Sequence, residues 1–282
     1  MNIGIIGLGL IGTSLALSLR KNEEHFIWGV DREQKVIEYL KEKHIFGALG
    51  EDLSKFRSHI QKSDLIFISV PPSQIKHILE EIKEVLTTNV IVSDTGSVKG
   101  NIMDYVNQDE KLSNIFIGGH PLAGREGSGP LYALDNLFEG KIYFLTPAEG
   151  VGEDKIKVLR EVINSIGGIP YIIDPNEHDN ILAYTSHLPQ IIAYLLSYTS
   201  IKDDTLKFLG SGFKDTTRIA KSDPDLWLDI VRENLENVKL VLMEFDTNLS
   251  FLIELLEKED FEKVKELFSL SQKKRFKVEG EI

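Results

Sequence analysis

Ile3-Gly4-Ile5-Ile6-Gly7-Leu8-Gly9-Leu10-Ile11-Gly12 opens the chain, and its glycine spacing decides the fold. Ile3 to Ile6 is an apolar run of strand character. Gly7, Gly9 and Gly12 then fit G-x-G-x-x-G, and residues 13–21 carry a helical pattern. A strand, a glycine turn and a helix in that order form a dinucleotide loop. The first glycine permits a tight turn, the second lets the backbone approach a pyrophosphate, and the third lets helix pack on strand. Leu10 and Ile11 lie where the free N–H groups of the helix start favour negative charge. A second apolar run, Phe26 to Val30, is closed by Asp31, 19 positions past Gly12. A carboxylate there accepts from both ribose hydroxyls and repels a 2′-phosphate, which favours NAD over NADP. Arg32, directly after it, keeps NADP as the lesser reading.

The 282 residues suffice for one large or two medium domains with a real core. A net charge of −12 leaves no broad basic field, so nucleic acid and anionic membranes are not expected partners. A small anionic substrate needs only local cations and stays open. The chain has no cysteine, which excludes disulfides, zinc–thiolate sites and thiol catalysis. No apolar run reaches bilayer-spanning length. The N-terminus enters a strand at once, without a charged leader, so the cytoplasm is the expected location.

Strand-like and helix-like runs alternate from the glycine turn to Tyr171-Ile172-Ile173. Leu65 to Val70 is continuously apolar and β-branched, as in a parallel strand covered on both faces. Pro71-Pro72 stop it. Val90 to Asp94, Ile115 to Gly118 and Ile142 to Leu145 are further strands. The pattern predicts a doubly wound, mostly parallel α/β sheet of Rossmann type over residues 1–174. Beyond Asp174-Pro175 the β pattern vanishes. One helix is expected over residues 177–198, interrupted at Pro189, another from Pro224 to about Lys258, and a last one over 260–276. Residues 175–282 are therefore expected to form an all-α second domain.

Ligands bind such sheets beyond the carboxyl ends of the strands. Val70-Pro71 there is expected to line the cofactor. His120 ends a strand inside Gly118-Gly119-His120-Pro121, and imidazole suits proton exchange near neutrality. Ser97 follows the strand ending at Asp94; it suits orienting a histidine, touching the nicotinamide or capping the next helix. Arg218 offers a planar partner for a substrate carboxylate, or an ion pair with Asp215 at i,i+3 spacing. His187 lies early in the helical part and His178 at a helix start. His25, His44, His59 and His77 read as solvated.

These residues carry a family resemblance. Gly7-x-Gly9-x-x-Gly12, Asp94-Thr95-Gly96-Ser97-Val98-Lys99, Gly119-His120-Pro121-Leu122-Ala123-Gly124, Ser186-His187-Leu188-Pro189 and Gly212-Phe213-Lys214-Asp215-Thr216-Thr217-Arg218, followed by Asp223-Pro224 and Trp227, span the chain in order. Together they resemble the prephenate/arogenate dehydrogenases of tyrosine biosynthesis. The resemblance implies an NAD-binding domain, a helical dimerisation domain, a homodimer and oxidative decarboxylation of prephenate. It implies that His120 accepts the 4-hydroxyl proton, that Ser97 positions that hydroxyl or His120, and that Arg218 binds a substrate carboxylate. It implies that Glu126 organises the pocket and that His187 shapes it.

One position departs. Many prephenate-using members carry a second histidine facing the substrate side chain, where this chain has Gln190. Gln190 leaves arogenate, or dual cyclohexadienyl specificity, beside prephenate as substrate. Few residues follow the long helices, so no separate regulatory domain is expected; a fused chorismate mutase domain is not expected either. Two further readings stand beside it: a non-catalytic nucleotide sensor on the same fold, and a β-hydroxyacid dehydrogenase with Lys214 as its lysine.

Overall fold

The computed structural model describes residues 1–125, 127–202 and 206–279; Glu126 lies outside them. Among these residues eight strands form one sheet: β1 (Asn2–Ile6), β2 (Phe26–Val30), β3 (Ala48–Gly50), β4 (Leu65–Ile68), β5 (Ile91–Asp94), β6 (Phe116–Pro121), β7 (Ile142–Pro147) and β8 (Ile169–Ile172). Their order is β3-β2-β1-β4-β5-β6-β7-β8, and every neighbouring pair is parallel except β6 with β7. The doubly wound α/β expectation holds. From β1 the chain winds one way to β3, then crosses to β4 and winds the other way. The crevice at this reversal is where such sheets take ligands.

Among the described residues seven α-helices accompany the sheet: α1 (Leu10–Leu19), α2 (Gln34–Lys41), α3 (Arg57–Lys62), α4 (Pro72–Ile82), α5 (Gly100–Asn107), α6 (Glu110–Ser113) and α7 (Glu153–Ser165). Strand residues alternate between two apolar layers. Ile3 and Ile5 join Leu15, Leu19, Leu159 and Ile163 on one face. Ile6, Ile66 and Ile68 join Ile75, Leu79, Ile102 and Val106 on the other. Gly4 belongs to the second face for want of a side chain, because a Cβ there would stand 2.2 Å from the Trp28 ring. Trp28 fills that space and donates its indole N–H to Ser63 Oγ at 2.9 Å. His59, expected in solvent, is only partly exposed and packs among Phe26, Trp28 and Phe56. The apolar turn around it wins over its polarity.

The remainder is helical: α8 (Pro175–Leu182), α9 (Leu188–Ser200), α10 (Ser211–Thr217), α11 (Pro224–Glu233), α12 (Leu235–Glu257) and α13 (Phe261–Glu279). Residues Met1–Leu235 form one compact unit, and a second begins at Glu236. Two expectations shift here. The irregularity assigned to Pro189 falls one turn earlier, where Ala183–His187 widen into a π turn and Pro189 enters the first turn of α9. Proline has no N–H to donate backwards, so the turn before it absorbs the mismatch. The single helix expected from Pro224 breaks at Asn234, whose φ of −118° and ψ of 32° leave the helical region.

Within the glycine loop the steric demands differ. A Cβ on Gly12 would stand 2.0 Å from Gly7 O, whereas a Cβ on Gly9 meets no atom within 4 Å. Gly12→Ala is therefore expected to destabilise the fold by about 1–3 kcal/mol, while Gly9→Ala leaves the denaturation midpoint in place. Chemical unfolding of the two variants checks this.

Candidate active site

The site starts at the glycine loop. Gly7 takes a φ of +91°, and a side chain there would strike Ser69 O and Val70. Val70 is thereby packed on the turn, and Pro71 precedes α4. Asp31 Oδ2 accepts the Leu8 N–H at 2.7 Å, and its Oδ1 accepts the Glu33 N–H at 2.9 Å. The carboxylate expected to bind a ribose thus also latches the loop. Arg32 beside it is exposed. Gly9 begins α1 with no side-chain cap, and no acidic residue stands in the first turn. Leu10 and Ile11 therefore present backbone N–H groups that a diphosphate can take up, and the space above Gly9 is open. These features fit a bound dinucleotide.

Two strand ends further along lies a buried ionic knot. Asp94, at the end of β5, is fully buried and pairs with the equally buried Lys99 ammonium. Asp94 also accepts the Gly96 N–H at 2.8 Å and the Gly119 N–H at 2.9 Å. Gly119 immediately precedes His120, so this carboxylate fixes the strand segment that carries the histidine. A residue larger than glycine at 118 or 119 would collide with Thr146 Oγ1 or with the Asp94 backbone.

His120 is 8% exposed, and its Nδ1 lies 2.8 Å from Nε2 of His178. His178 in turn places Nδ1 2.7 Å from Asp179 Oδ1. Asp179 also accepts the Lys99 N–H at 2.8 Å and the Gly100 N–H at 2.7 Å. The helix cap, one of three readings for Ser97, is supplied instead by Asp179 from α8. Ser97 is half-buried in the loop just before α5. The protons follow from the partners. A carboxylate only accepts, so His178 Nδ1 donates to it. In its neutral form His178 then offers a bare Nε2, which accepts the Nδ1–H of His120. This leaves His120 with a free lone pair on Nε2. Burial first, then the charges of His178, Lys99 and His187, hold the His120 pKa well below its ordinary 6.5. The ring is neutral at neutral pH and poised to accept.

His187 ends the π turn and is 1% exposed. Burial lowers its pKa to about 4. Asn234 Nδ2 reaches Asp179 O at 2.8 Å and His187 Nδ1 at 3.1 Å. Trp227 packs edge-on against the His187 ring. Gln190 is 2% exposed and donates its amide N–H to Ile219 O at 2.8 Å, tying α9 to the tight turn Arg218–Lys221. Arg218 is exposed at the start of that turn, and Lys214 is exposed within α10. The structure thus brings His120, His178, Asp179, Asn234 and His187 into one hydrogen-bonded chain. Of these, sequence reading missed the roles of His178, Asp179 and Asn234. The signal for the first two was local: Asp174 caps the helix with Pro175 at its start, which sets both residues in the first turns, facing the strand ends.

Among the described residues no helix is long and apolar enough to cross a membrane, and no group of three or more His, Asp or Glu side chains is placed to hold a metal ion. Residues 15–172 match a family model described as the nucleotide-binding domain of prephenate dehydrogenase, and residues 174–270 match its dimerization domain. The chain is 32% identical to a prephenate dehydrogenase of Lactococcus lactis subsp. cremoris, over 98% of this chain and 77% of that one. It is 31% identical to a cyclohexadienyl dehydrogenase of Zymomonas mobilis, over 97% and 94%. It is similar to the crystal structure of prephenate dehydrogenase from A. aeolicus in complex with hydroxyphenyl propionate and NAD+, with a TM-score of 0.91, 34% identity, and 98% and 97% coverage. It is also similar to Synechocystis arogenate dehydrogenase, with a TM-score of 0.81, 32% identity, and 99% and 100% coverage. Two matching domain models and relatives aligned along nearly the whole chain agree with the site's geometry, and the chain belongs to the prephenate dehydrogenase family.

Proposed function

We propose that this chain is an NAD-dependent prephenate dehydrogenase, converting prephenate to 4-hydroxyphenylpyruvate and carbon dioxide. The observation that carries the reading is the His120–His178–Asp179 chain, which leaves one buried imidazole nitrogen bare at the carboxyl edge of the sheet. When bound, NAD supplies the acceptor for the hydride leaving C4 of the ring. His120 Nε2 accepts the proton of the 4-hydroxyl as that carbon becomes carbonyl-like. The imidazolium so formed donates through Nδ1 to His178, and Asp179 draws the His178 proton toward itself. The positive charge is thereby stabilised without leaving the buried site. Loss of the ring carboxylate as carbon dioxide aromatises the ring, and the phenolate oxygen so formed recovers the proton from His120, so the protein need only orient the substrate and shuttle one proton. Arg218 binds a substrate carboxylate, Ser97 holds the reacting hydroxyl, and His187 and Gln190 shape the side-chain end. Gly7, Gly9, Leu10, Ile11, Gly12, Asp31, Val70 and Pro71 hold the dinucleotide.

Arogenate is the second reading, and Gln190 favours it. Its amide nitrogen is committed to Ile219 O, so no ionisable group stands at that position to select the keto side chain. We also propose a homodimer formed by the helical region. Leu240, Met243, Leu249, Phe251, Ile253 and Leu256 are exposed along α12, more apolar surface than a solvated helix carries.

Four outcomes are expected. Turnover measured with prephenate and arogenate, each against NAD and NADP, gives its highest kcat/KM for prephenate with NAD; no NADH formation from either substrate overturns the proposal. His120→Asn lowers kcat by about 10²–10⁴-fold while NADH binding, followed by fluorescence, persists. Arg218→Ala raises KM by about 10–100-fold, as expected for one charge-assisted contact, with NAD affinity unchanged. The fourth concerns pH. Protonated His120 is inactive and its folded pKa is depressed, so kcat/KM stays level through pH 6.5 and falls only at lower pH. Stability follows the same sign: below pH 6.5 the unfolded chain protonates these histidines and the folded chain does not. Unfolding free energy is therefore lost on acidification toward pH 4, by up to about 1.4 kcal/mol per pH unit for each histidine. Denaturant titrations across that range read the slope.

A further inference from the structure

Asn234 has no part in the scheme above, yet it stands at a junction. It is 4% exposed, it interrupts the run from α11 to α12, and one amide nitrogen faces two partners. The first is the backbone carbonyl of Asp179, at 2.8 Å. A carbonyl only accepts, so the group turned toward it is the amide NH2 and not the amide oxygen. The second hydrogen of that same nitrogen faces His187 Nδ1, at 3.1 Å. His187 Nδ1 must then be the bare nitrogen of its ring. The Trp227 ring, edge-on with its centroid 6.0 Å away, packs beside the imidazole and limits its rotation. The titratable groups acting on His187 are Asp179, which favours its charge, and His178, which opposes it; burial outweighs both.

We infer that Asn234 is a positioning residue that holds His187 as the neutral Nε2–H tautomer, a hydrogen-bond donor of fixed polarity. The two buried histidines of the site then have opposite offices. His120 presents a lone pair and removes a proton. His187 presents an N–H and suits an oxygen acceptor on the substrate, whether carboxylate, keto or hydroxyl oxygen. It cannot serve as a second base while Asn234 donates to it. Through the Asp179 carbonyl the same amide braces the residue that orients His178. Only the consequence for turnover rests on the proposed function; the tautomer is a property of the folded chain alone.

The test is long-range ¹H–¹⁵N correlation on the full chain labelled at histidine, with His187 assigned from the signals lost in His187→Gln. The expected pattern at neutral pH is Nε2 protonated and Nδ1 bare, persisting down to about pH 5. Asn234→Asp replaces the donor by an acceptor, so His187 gains a proton on Nδ1. KM for prephenate then rises about tenfold, with a smaller change in kcat. A purely structural asparagine would leave the tautomer where it was. Nδ1 protonated in the unaltered chain, or an unchanged His187 pattern in Asn234→Asp, overturns the inference. Should the variant fail to fold, the spectrum of the unaltered chain alone decides. A chain that shows the Nε2–H pattern but oxidises neither prephenate nor arogenate defeats the proposed function and supports the assignment of Asn234.

Discussion

A single carboxylate, that of Asp179, sets the geometry on which the site depends. Its two oxygens accept from Lys99 N, Gly100 N and His178 Nδ1. The first two contacts close the N-terminus of α5, where unpaired N–H groups and the helix dipole both favour an anion. The third fixes which nitrogen of His178 carries the proton. One charge thus does what a helix cap and a histidine-orienting acid do separately. It also joins the first helix after the sheet to a helix packed on it. Removing the carboxylate would leave buried donors without partners, which costs more than the bonds contribute when made.

The Asp94–Lys99 pair complements it on the other side of the same loop. Both side chains are fully buried, and such a pair tolerates loss of neither partner. Asp94 holds the β5 and β6 ends in register through Gly96 N and Gly119 N. Burial first, then His178 and the positive charge of Lys99, keep the His120 imidazole unprotonated. Structural and electrostatic roles coincide because His120 sits one residue beyond a clamped glycine.

The fold was legible because burial writes itself into strands such as Leu65–Ile68 as unbroken apolar runs, and because Gly7 and Gly12 meet steric demands only glycine satisfies. β3 escaped notice: three residues at a sheet edge, half-buried, leave no period to read. His120 was legible from its strand-end position. His178 was legible only as a helix-start residue; its partner was not, since the 2.8 Å contact with His120 joins α8 to β6 across 58 positions of sequence. Asn234 was hidden for the same reason: nothing in its neighbours announces that the helix breaks there. Ser97 and Asp179 show how capping misleads, since the cap came from a distant side chain and not from the nearest serine.

The latch between Asp31 and Leu8 N bears on any attempt to re-engineer coenzyme preference. On the proposed coenzyme site, the residue that would be exchanged to admit a 2′-phosphate also staples the glycine turn. Exchanging it alone would slacken that turn, so weaker grip on both coenzymes accompanies any gain in tolerance. Retargeting this protein requires a replacement acceptor for Leu8 N before the charge at position 31 is altered.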